Sequence, residues 1–406
     1  MRQGYLCQST DIHVSKNFVL CKVCVEMDPQ SYAQLKQEIA RSIAADHIIL
    51  DQLRAEIRPL RGQVHRIHPR TTTSISLVAT DGGNNSLRFD PFLVQIVRVV
   101  DSNDNEYYLD AITPTTSVSS LSQRQFSEDG SPRTPLGELM AYLDVWDLEQ
   151  LSHHIHEHEP GRPIGPGWVE VYRELMEWAI LFSIVRKKDF GTDTLIVYDG
   201  LLRSVVFAGD LFQKYIAGLQ EGIKLQKQKH RRKIYLVGVA KHSQVLSRYR
   251  LAMALERILT TAYPAYLAIP GSIEEKAYAW TAYTSSERED REQSRLSRYV
   301  GGKMFFVKFG NRPRDPIWPV DILLSQVDSA SHIFGCLLAD ALNGFPVPLY
   351  PRCLQKAHEN AALADFDFDV LQSYIFEGLR QVLAQESAVL DTFRLQEADP
   401  SRRRYE

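Results

Sequence analysis

Two apolar runs, each ending in Asp-Gly, constrain this chain most. The first is Ser76-Leu77-Val78-Ala79-Thr80-Asp81-Gly82-Gly83 and the second is Thr194-Leu195-Ile196-Val197-Tyr198-Asp199-Gly200-Leu201-Leu202. A short apolar run bounded by a turn signal reads as a buried strand. Each strand is expected to stop at its Asp. Two such strands side by side set two carboxylates at one end of a sheet, and paired carboxylates suit a hard divalent cation, because magnesium and manganese prefer oxygen ligands. Phosphodiester hydrolysis is chemistry that such an ion supports. Asp-Gly is also a common turn dipeptide, so either pair taken alone reads first as a turn.

The 406 residues allow two or three average domains, or one large domain with insertions. The formal net charge of -3 gives no global basic signature, so a nucleic-acid site has to be a local groove. There is no apolar run of about 18 residues or more, hence no expected membrane span, and no charged-then-apolar leader at the N-terminus. The five cysteines, Cys7, Cys21, Cys24, Cys336 and Cys353, are an odd number in a long chain, as expected of reduced cytoplasmic thiols. Cys21-Lys22-Val23-Cys24 has zinc-like spacing, but only Cys7 and His13 remain to complete it, where a structural zinc site shows two clear ligand pairs.

Along the chain, Phe18 to Val25 reads as a strand, and Tyr32 to Leu60 as one or two helices from the spacing of Leu35, Ile39, Ile43, Ile48 and Leu53. Ile75 to Asp81, Phe92 to Val100 and Glu106 to Leu109 read as an antiparallel meander turned by Asp101-Ser102-Asn103-Asp104-Asn105. Thr115 to Pro135, rich in Ser, Thr and Pro, reads as a loop. Helices are expected over Leu136 to His158, Trp168 to Arg186, Leu211 to Lys229, Arg248 to Thr261 and Val370 to Gln385, with a Pro/Gly hinge from Pro160 to Gly167. Strands are expected at Thr194 to Tyr198, Lys233 to Ala240, Lys303 to Phe309 and Ile317 to Leu324. The succession strand, helix, strand suggests a parallel crossover. A meander feeding such crossovers is the outline of an α/β, ribonuclease H-like mixed sheet flanked by helices. The tail Ser401-Arg402-Arg403-Arg404-Tyr405 is basic.

A third carboxylate can come from Glu170, Glu174 or Glu177, which share one face of the helix Trp168 to Arg186, although exposed acids are the default for Glu. Lys241, in Val239-Ala240-Lys241-His242-Ser243, follows a buried strand as the two Asp do; a cation there stabilises charge on a phosphate, or simply reaches water. His358, in Lys356-Ala357-His358-Glu359-Asn360, can ligate a metal, orient water or protonate a leaving oxygen, or be a surface residue. The run Lys224 to Lys233 is either a phosphate-tracking patch or a solvated helix end. His153-His154-Ile155-His156-Glu157-His158 looks like a metal tract but lacks a second ligand group, so it reads as an exposed helix end.

Taken in order, Ala79-Thr80-Asp81-Gly82-Gly83, Arg173-Glu174-Leu175-Met176-Glu177, Tyr198-Asp199-Gly200-Leu201-Leu202, Val239-Ala240-Lys241-His242-Ser243 and Gly344-Phe345-Pro346 with Ala357-His358-Glu359-Asn360 resemble the NurA family of nucleases. Each motif is short; their order across residues 75 to 365 makes the resemblance specific. It implies a DNase dependent on manganese or magnesium (Mn2+ or Mg2+), a ring-shaped homodimer, and a HerA-like hexameric ATPase as partner. It also implies action on single-stranded ends with 5′-to-3′ polarity. By motif, Asp81, Glu177 and Asp199 match the family's metal carboxylates, with Lys241 and His358 matching its lysine and histidine.

The chain departs from the family in carrying Phe345 where Tyr is usual, a longer spacer from Phe345 to His358, and Leu201 where Ser or Pro is common. Tyr350, inside that spacer, is placed to replace the missing hydroxyl. The resemblance divides the chain into an N-terminal region 1–70 for partner or dimer contact, a nuclease domain 71–365 with an insertion at about 111–135, and a C-terminal helix and tail 366–406. It associates the protein with DNA-end processing or antiphage defence. Two other classes stand against a nuclease: a ring-shaped adaptor on a HerA-like ATPase with little or no cleavage, and a metal phosphatase on small nucleotides.

Overall fold

A computed structural model describes residues 29–70, 75–89, 92–157, 167–279, 297–362 and 365–383, and for residues 75–89 the backbone alone. Cys7, His13, Cys21, Cys24, the strand expected over 18–25, His158, most of the Pro/Gly hinge and the basic tail lie outside the described residues. The chain divides into two units, Met1–Gln52 and Leu53–Glu406. What is described of the first is helical, the opening part of α1 (Pro29–Ile57). This is the helix its spacing predicts, yet Tyr32, Leu35, Ile39 and Ile43 are all exposed.

The second unit is built on one mixed sheet. Its strands are β1 (His65–Arg66), β2 (Ile75–Phe89), β3 (Phe92–Asp101), β4 (Glu106–Ile112), β5 (Asp193–Asp199), β6 (Ile234–Val239), β7 (Ala265–Ala268), β8 (Gly302–Lys308) and β9 (Trp318–Leu323). Their order is β1-β7-β8-β9-β6-β5-β2-β3-β4. β2, β3 and β4 form the expected antiparallel meander. β2, β5 and β6 are parallel, and β9, β8, β7 and β1 continue antiparallel. β5 and β6 are almost continuously apolar because helices cover both their faces, the usual condition of parallel strands.

Alternation along β5 separates two cores. Ile196 and Tyr198 join α3 (Pro135–Leu143), α5 (Gly167–Lys187) and α6 (Leu211–His230) on one face. There the Trp178 ring stacks on Tyr198 at 4.3 Å between centroids. Leu195 and Val197 join Val239, Val320 and Phe305 beneath α9 (Ala330–Ala341) and α10 (Arg352–Ala361) on the other. Each fully buried aliphatic side chain in these layers contributes about 1.5–3 kcal/mol.

The structure corrects several expectations. β2 does not stop at Asp81, nor is Asp81-Gly82 a turn: the strand runs on to Phe89, paired with β3 from Thr80↔Asp101 through Asp81↔Val100 to Phe89↔Phe92. β3 supplies hydrogen-bond partners beyond the point where β5 ends. The Ser/Thr-rich stretch holds a helix, α2 (Val118–Arg124), whose first turn is capped by the Ser117 side chain accepting from the Ser120 N–H. The helix expected over Leu136 to His158 breaks at Asp144, which adopts φ 58°, and a short α4 (Leu148–Leu151) follows, capped by Asp147. β1 and β7 are too short to show a pattern in sequence. The remaining helices are α7 (Gln244–Leu255), α8 (Gly271–Ala279) and α11 (Asp365–Leu383). Among the described residues no helix is long and apolar enough to cross a membrane.

Candidate functional site

The site is built around the end of β5. Asp199 is its last residue, and Gly200 then takes φ 137°, a left-handed conformation that favours glycine. The Gly200 N–H donates to the Val239 carbonyl at 3.0 Å, and the turn lies flat on β6. That close approach requires Gly238, where an added Cβ would stand 2.4 Å from the Gly200 carbonyl oxygen. Asp199 pairs with Val239, Val239 with Val320 and Val320 with Phe305, so Asp199 stands in the row facing α9 and α10. On the other side the parallel register runs to Thr80↔Tyr198, which carries Asp81 one residue further, to the position beside Asp199.

Among the described residues, Tyr350 and Lys241 meet Asp199. The Tyr350 hydroxyl donates to its Oδ1 at 3.1 Å. Tyr350 is 2% exposed, and its ring lies 4.7 Å from that of Trp318. Its backbone is held from both directions: Trp318 Nε1 donates to the Leu349 carbonyl at 2.6 Å, and Gln355 Nε2 to the Tyr350 carbonyl at 3.0 Å. Leu349 adopts φ 60°, which for a bulky residue costs on the order of 1–3 kcal/mol. The second neighbour is Lys241, with Nζ 3.6 Å from Asp199 Oδ2 and 5.9 Å from the centre of the Tyr350 ring. Lys241 is held between the Ala240 N–H bond to Pro319 and the Ser243 cap of α7. Its side chain is 47% exposed, and such a pair adds at most about 1 kcal/mol to stability. Stability therefore does not explain why a lysine stands there.

Of the three acids on α5, Glu170 is exposed, Glu174 half-buried and Glu177 buried. Glu174 Oε1 accepts from Trp178 Nε1 at 3.1 Å and from Ser204 Oγ at 2.7 Å. Glu177 accepts from Arg173 Nη1 at 2.7 Å. Burial pushes the Tyr198 phenol well above its ordinary pKa, and the negative charges of Glu177 and Glu174 push it further in the same direction. Glu177 thus lies on the helix that covers the Tyr198 face of the sheet, whereas Asp199 stands in the row that faces α9 and α10. His358 is exposed near the end of α10. That end is tied to β3 by Arg98, whose Nη1 donates to the Asn360 carbonyl at 2.8 Å.

Carboxylate oxygens are the right donors for magnesium or manganese. Asp199 and Glu177 carry such oxygens; Asp81 is described only by its backbone. Among the described residues no three His, Cys, Asp or Glu side chains converge as a metal cluster. This holds for His153, His154 and His156, all exposed. The basic run Lys224 to Lys233 covers the end of α6 and the approach to β6, at the opposite end of the sheet from Asp199. Cys336 and Cys353 are buried free thiols.

Two participants have no role expected from the sequence: Arg173, although it opens the Arg173–Glu177 motif, and Arg203. Arg173 pairs with Glu177 one helical turn away, a spacing visible in sequence but ordinary on any helix. Arg203, four residues after Asp199, anchors the turn: its Nε and Nη2 donate to the two oxygens of Asp321 at 2.7 and 2.9 Å, and Nη1 lies 2.7 Å from Glu274. No sequence spacing links these three residues.

No protein-family model matches the chain, and no curated protein matches it. The structure is similar to those of NurA nucleases. The NurA nuclease from Sulfolobus solfataricus shares 13% identity at a TM-score of 0.42, over 88% of this chain and 99% of that one. A NurA bound to dAMP and manganese shares 14% identity at a TM-score of 0.34, over 81% of this chain and 94% of that one. At these values the likeness assigns no residue a role.

Proposed function

We propose that the protein is a metal-dependent deoxyribonuclease. The observation that carries this reading is the meeting of Asp199, Lys241 and Tyr350 at the end of β5, with the register bringing Asp81 to the neighbouring position. The strand order β4-β3-β2-β5-β6, a meander joined to parallel strands, supports the ribonuclease H-like description. Asp81, Glu177 and Asp199 would hold manganese or magnesium, which when bound supplies an activated water and a Lewis acid for the phosphoryl group. Tyr350 fixes the rotamer of Asp199 and leaves Oδ2 turned toward Lys241. Lys241 offsets charge that develops on a phosphate oxygen, and His358 protonates the leaving oxygen. In this reading Tyr350 supplies the hydroxyl that Phe345 lacks.

The sequence resemblance extends the proposal to a homodimer that works with a HerA-like ATPase in DNA-end processing or antiphage defence. In that scheme residues 1–70 contact a partner, 71–365 carry the nuclease and 366–406 form a C-terminal appendage. The test is cleavage of end-labelled single- and double-stranded DNA with manganese, beside an EDTA control and Asp199→Asn, with and without a HerA-like ATPase. Cutting should vanish with EDTA and fall by more than about a hundredfold in Asp199→Asn, beyond what loss of an outer-sphere partner costs a metal site. Wild-type protein that binds the ATPase but cuts nothing under any condition would move the assignment to the adaptor.

A further inference from the structure

We infer that Phe345 is a stacking platform for an unpaired nucleobase of the strand held at Asp199; this rests on the nuclease reading above. Phe345 is 81% exposed, whereas Trp178, Tyr172, Tyr215 and Phe334 are completely buried. Leu342 and Val347 beside it are exposed too. The loop that presents the ring is tied down at several points. The Gln355 side chain accepts from the Val347 N–H at 2.7 Å and donates to the Val347 carbonyl at 2.9 Å and the Tyr350 carbonyl at 3.0 Å. The Gly344 N–H donates to the Ala341 carbonyl at 3.0 Å, and a Cβ on Gly344 would stand 2.3 Å from the Tyr350 carbonyl oxygen. A large apolar ring held in water by a built loop marks a contact surface.

The other end of that loop says what the contact is. Tyr350 bonds Asp199, and Phe345 is five residues away, within at most about 18 Å of chain. A polymer positioned at Asp199 and Lys241 is therefore long enough, at a few units, to reach the ring. A nucleic-acid strand presents both features the surface fits, a phosphate for Lys241 and a flat base for Phe345. A duplex keeps its base faces stacked inside, so the ring favours an unpaired strand. The ring reads no hydrogen-bonding edge, so it should be tolerant of sequence.

The experiment measures binding of a fluorescent oligothymidylate in calcium, and of the same oligomer with one abasic site stepped along it, by wild type, Phe345→Ala and Phe345→Trp. Cleavage in manganese is followed in parallel. Phe345→Ala should bind the intact strand about tenfold more weakly, the usual scale for loss of one base–aromatic stack. The loss should fall on KM rather than kcat. One abasic position should weaken wild type to the same degree and leave Phe345→Ala unaffected, and Phe345→Trp should restore binding. Wild type that binds and cuts while Phe345→Ala matches it overturns the inference alone and gives the exposed patch to a protein partner. Equal abasic penalties in both proteins overturn it as well. Wild type that neither binds nor cuts any DNA overturns the nuclease reading beneath it.

Discussion

Tyr350 and Phe345 lie on one short loop and meet opposite fates. Tyr350 is buried with its hydroxyl on Asp199, and Phe345 projects into water. A hydrogen bond to a charged group is worth about 1.5–3 kcal/mol, and its loss leaves a carboxylate oxygen without its donor. Tyr350→Phe keeps the ring against Trp318 and removes the hydroxyl that bonds Asp199. It should lower kcat/KM by about 10- to 100-fold and the melting temperature by only a few degrees, as steady-state kinetics beside thermal unfolding would check. The motif order pointed to Asp199, Lys241 and Glu177 because strand ends and helix spacing are visible along the chain. The hydroxyl on Asp199 had only a hint, because the loop that brings it there closes through Gln355 and Trp318, contacts that sequence spacing does not encode.

At the scale of elements, the β3–β4 hairpin shows how a local signal gains a long-range task. Asp101 was legible as a turn residue. In the fold it is buried and accepts from the Asn103 N–H, the Asn105 N–H and side chain, and the Tyr107 hydroxyl, with Lys188 at 3.4 Å. Its carbonyl also accepts from Asn360 of α10, which joins the hairpin to the helix carrying His358. Burial alone would raise the Asp101 pKa; the bonds from Asn105, Asn103 and Tyr107 outweigh it and bring it below the ordinary value. A carboxylate depressed in the folded state contributes stability that is full above its unfolded pKa, about 3.9, and is lost as pH falls through the lower folded value. Asp101→Asn should therefore melt earlier than wild type at pH 7, and the gap should narrow below about pH 4. A gap that stayed constant down to pH 2 would refute this account. β2 teaches the converse. Asp81-Gly82 taken alone reads as a turn, yet it is strand, because β3 is there to pair with it.

Across the whole second unit, the sheet carries charge on one face of its middle as well as at its end. Asp321 is completely buried on β9 and is satisfied by Arg203, which Glu274 and the Tyr278 hydroxyl also engage. Burial raises the Glu274 pKa above its ordinary value, partly offset by the Arg203 charge. Removing one partner of a buried pair leaves the other uncompensated, at a cost of about 3–5 kcal/mol. Arg203→Ala should lower the melting temperature by about 5 °C or more, and Asp321→Asn with Arg203 intact should do the same. Because Arg203 follows the Asp199 turn directly, the double variant should recover part of the loss in stability. A double-mutant cycle on unfolding free energy measures this, and strict additivity would dismiss the pair as independent.

The sequence by itself determined the central strands, since continuous apolar runs such as Leu195 to Tyr198 and Ile234 to Val239 have no stable place except inside a covered sheet. It also determined the long helices, whose apolar spacing repeats over several turns, and the position of Asp199 at a strand end, which Gly200 marks. Only the tertiary structure decided that Asp81 lies within a strand rather than at its end, that Glu177 is buried while Glu170 is solvated, and that Tyr350 rather than Phe345 meets Asp199. Those outcomes depend on which distant segment supplies a hydrogen-bond partner or a packing surface, and on a rigid loop whose two aromatic residues divide between core and water. Local propensity carries no record of such partners, because their energy exists only once the chain has closed on itself.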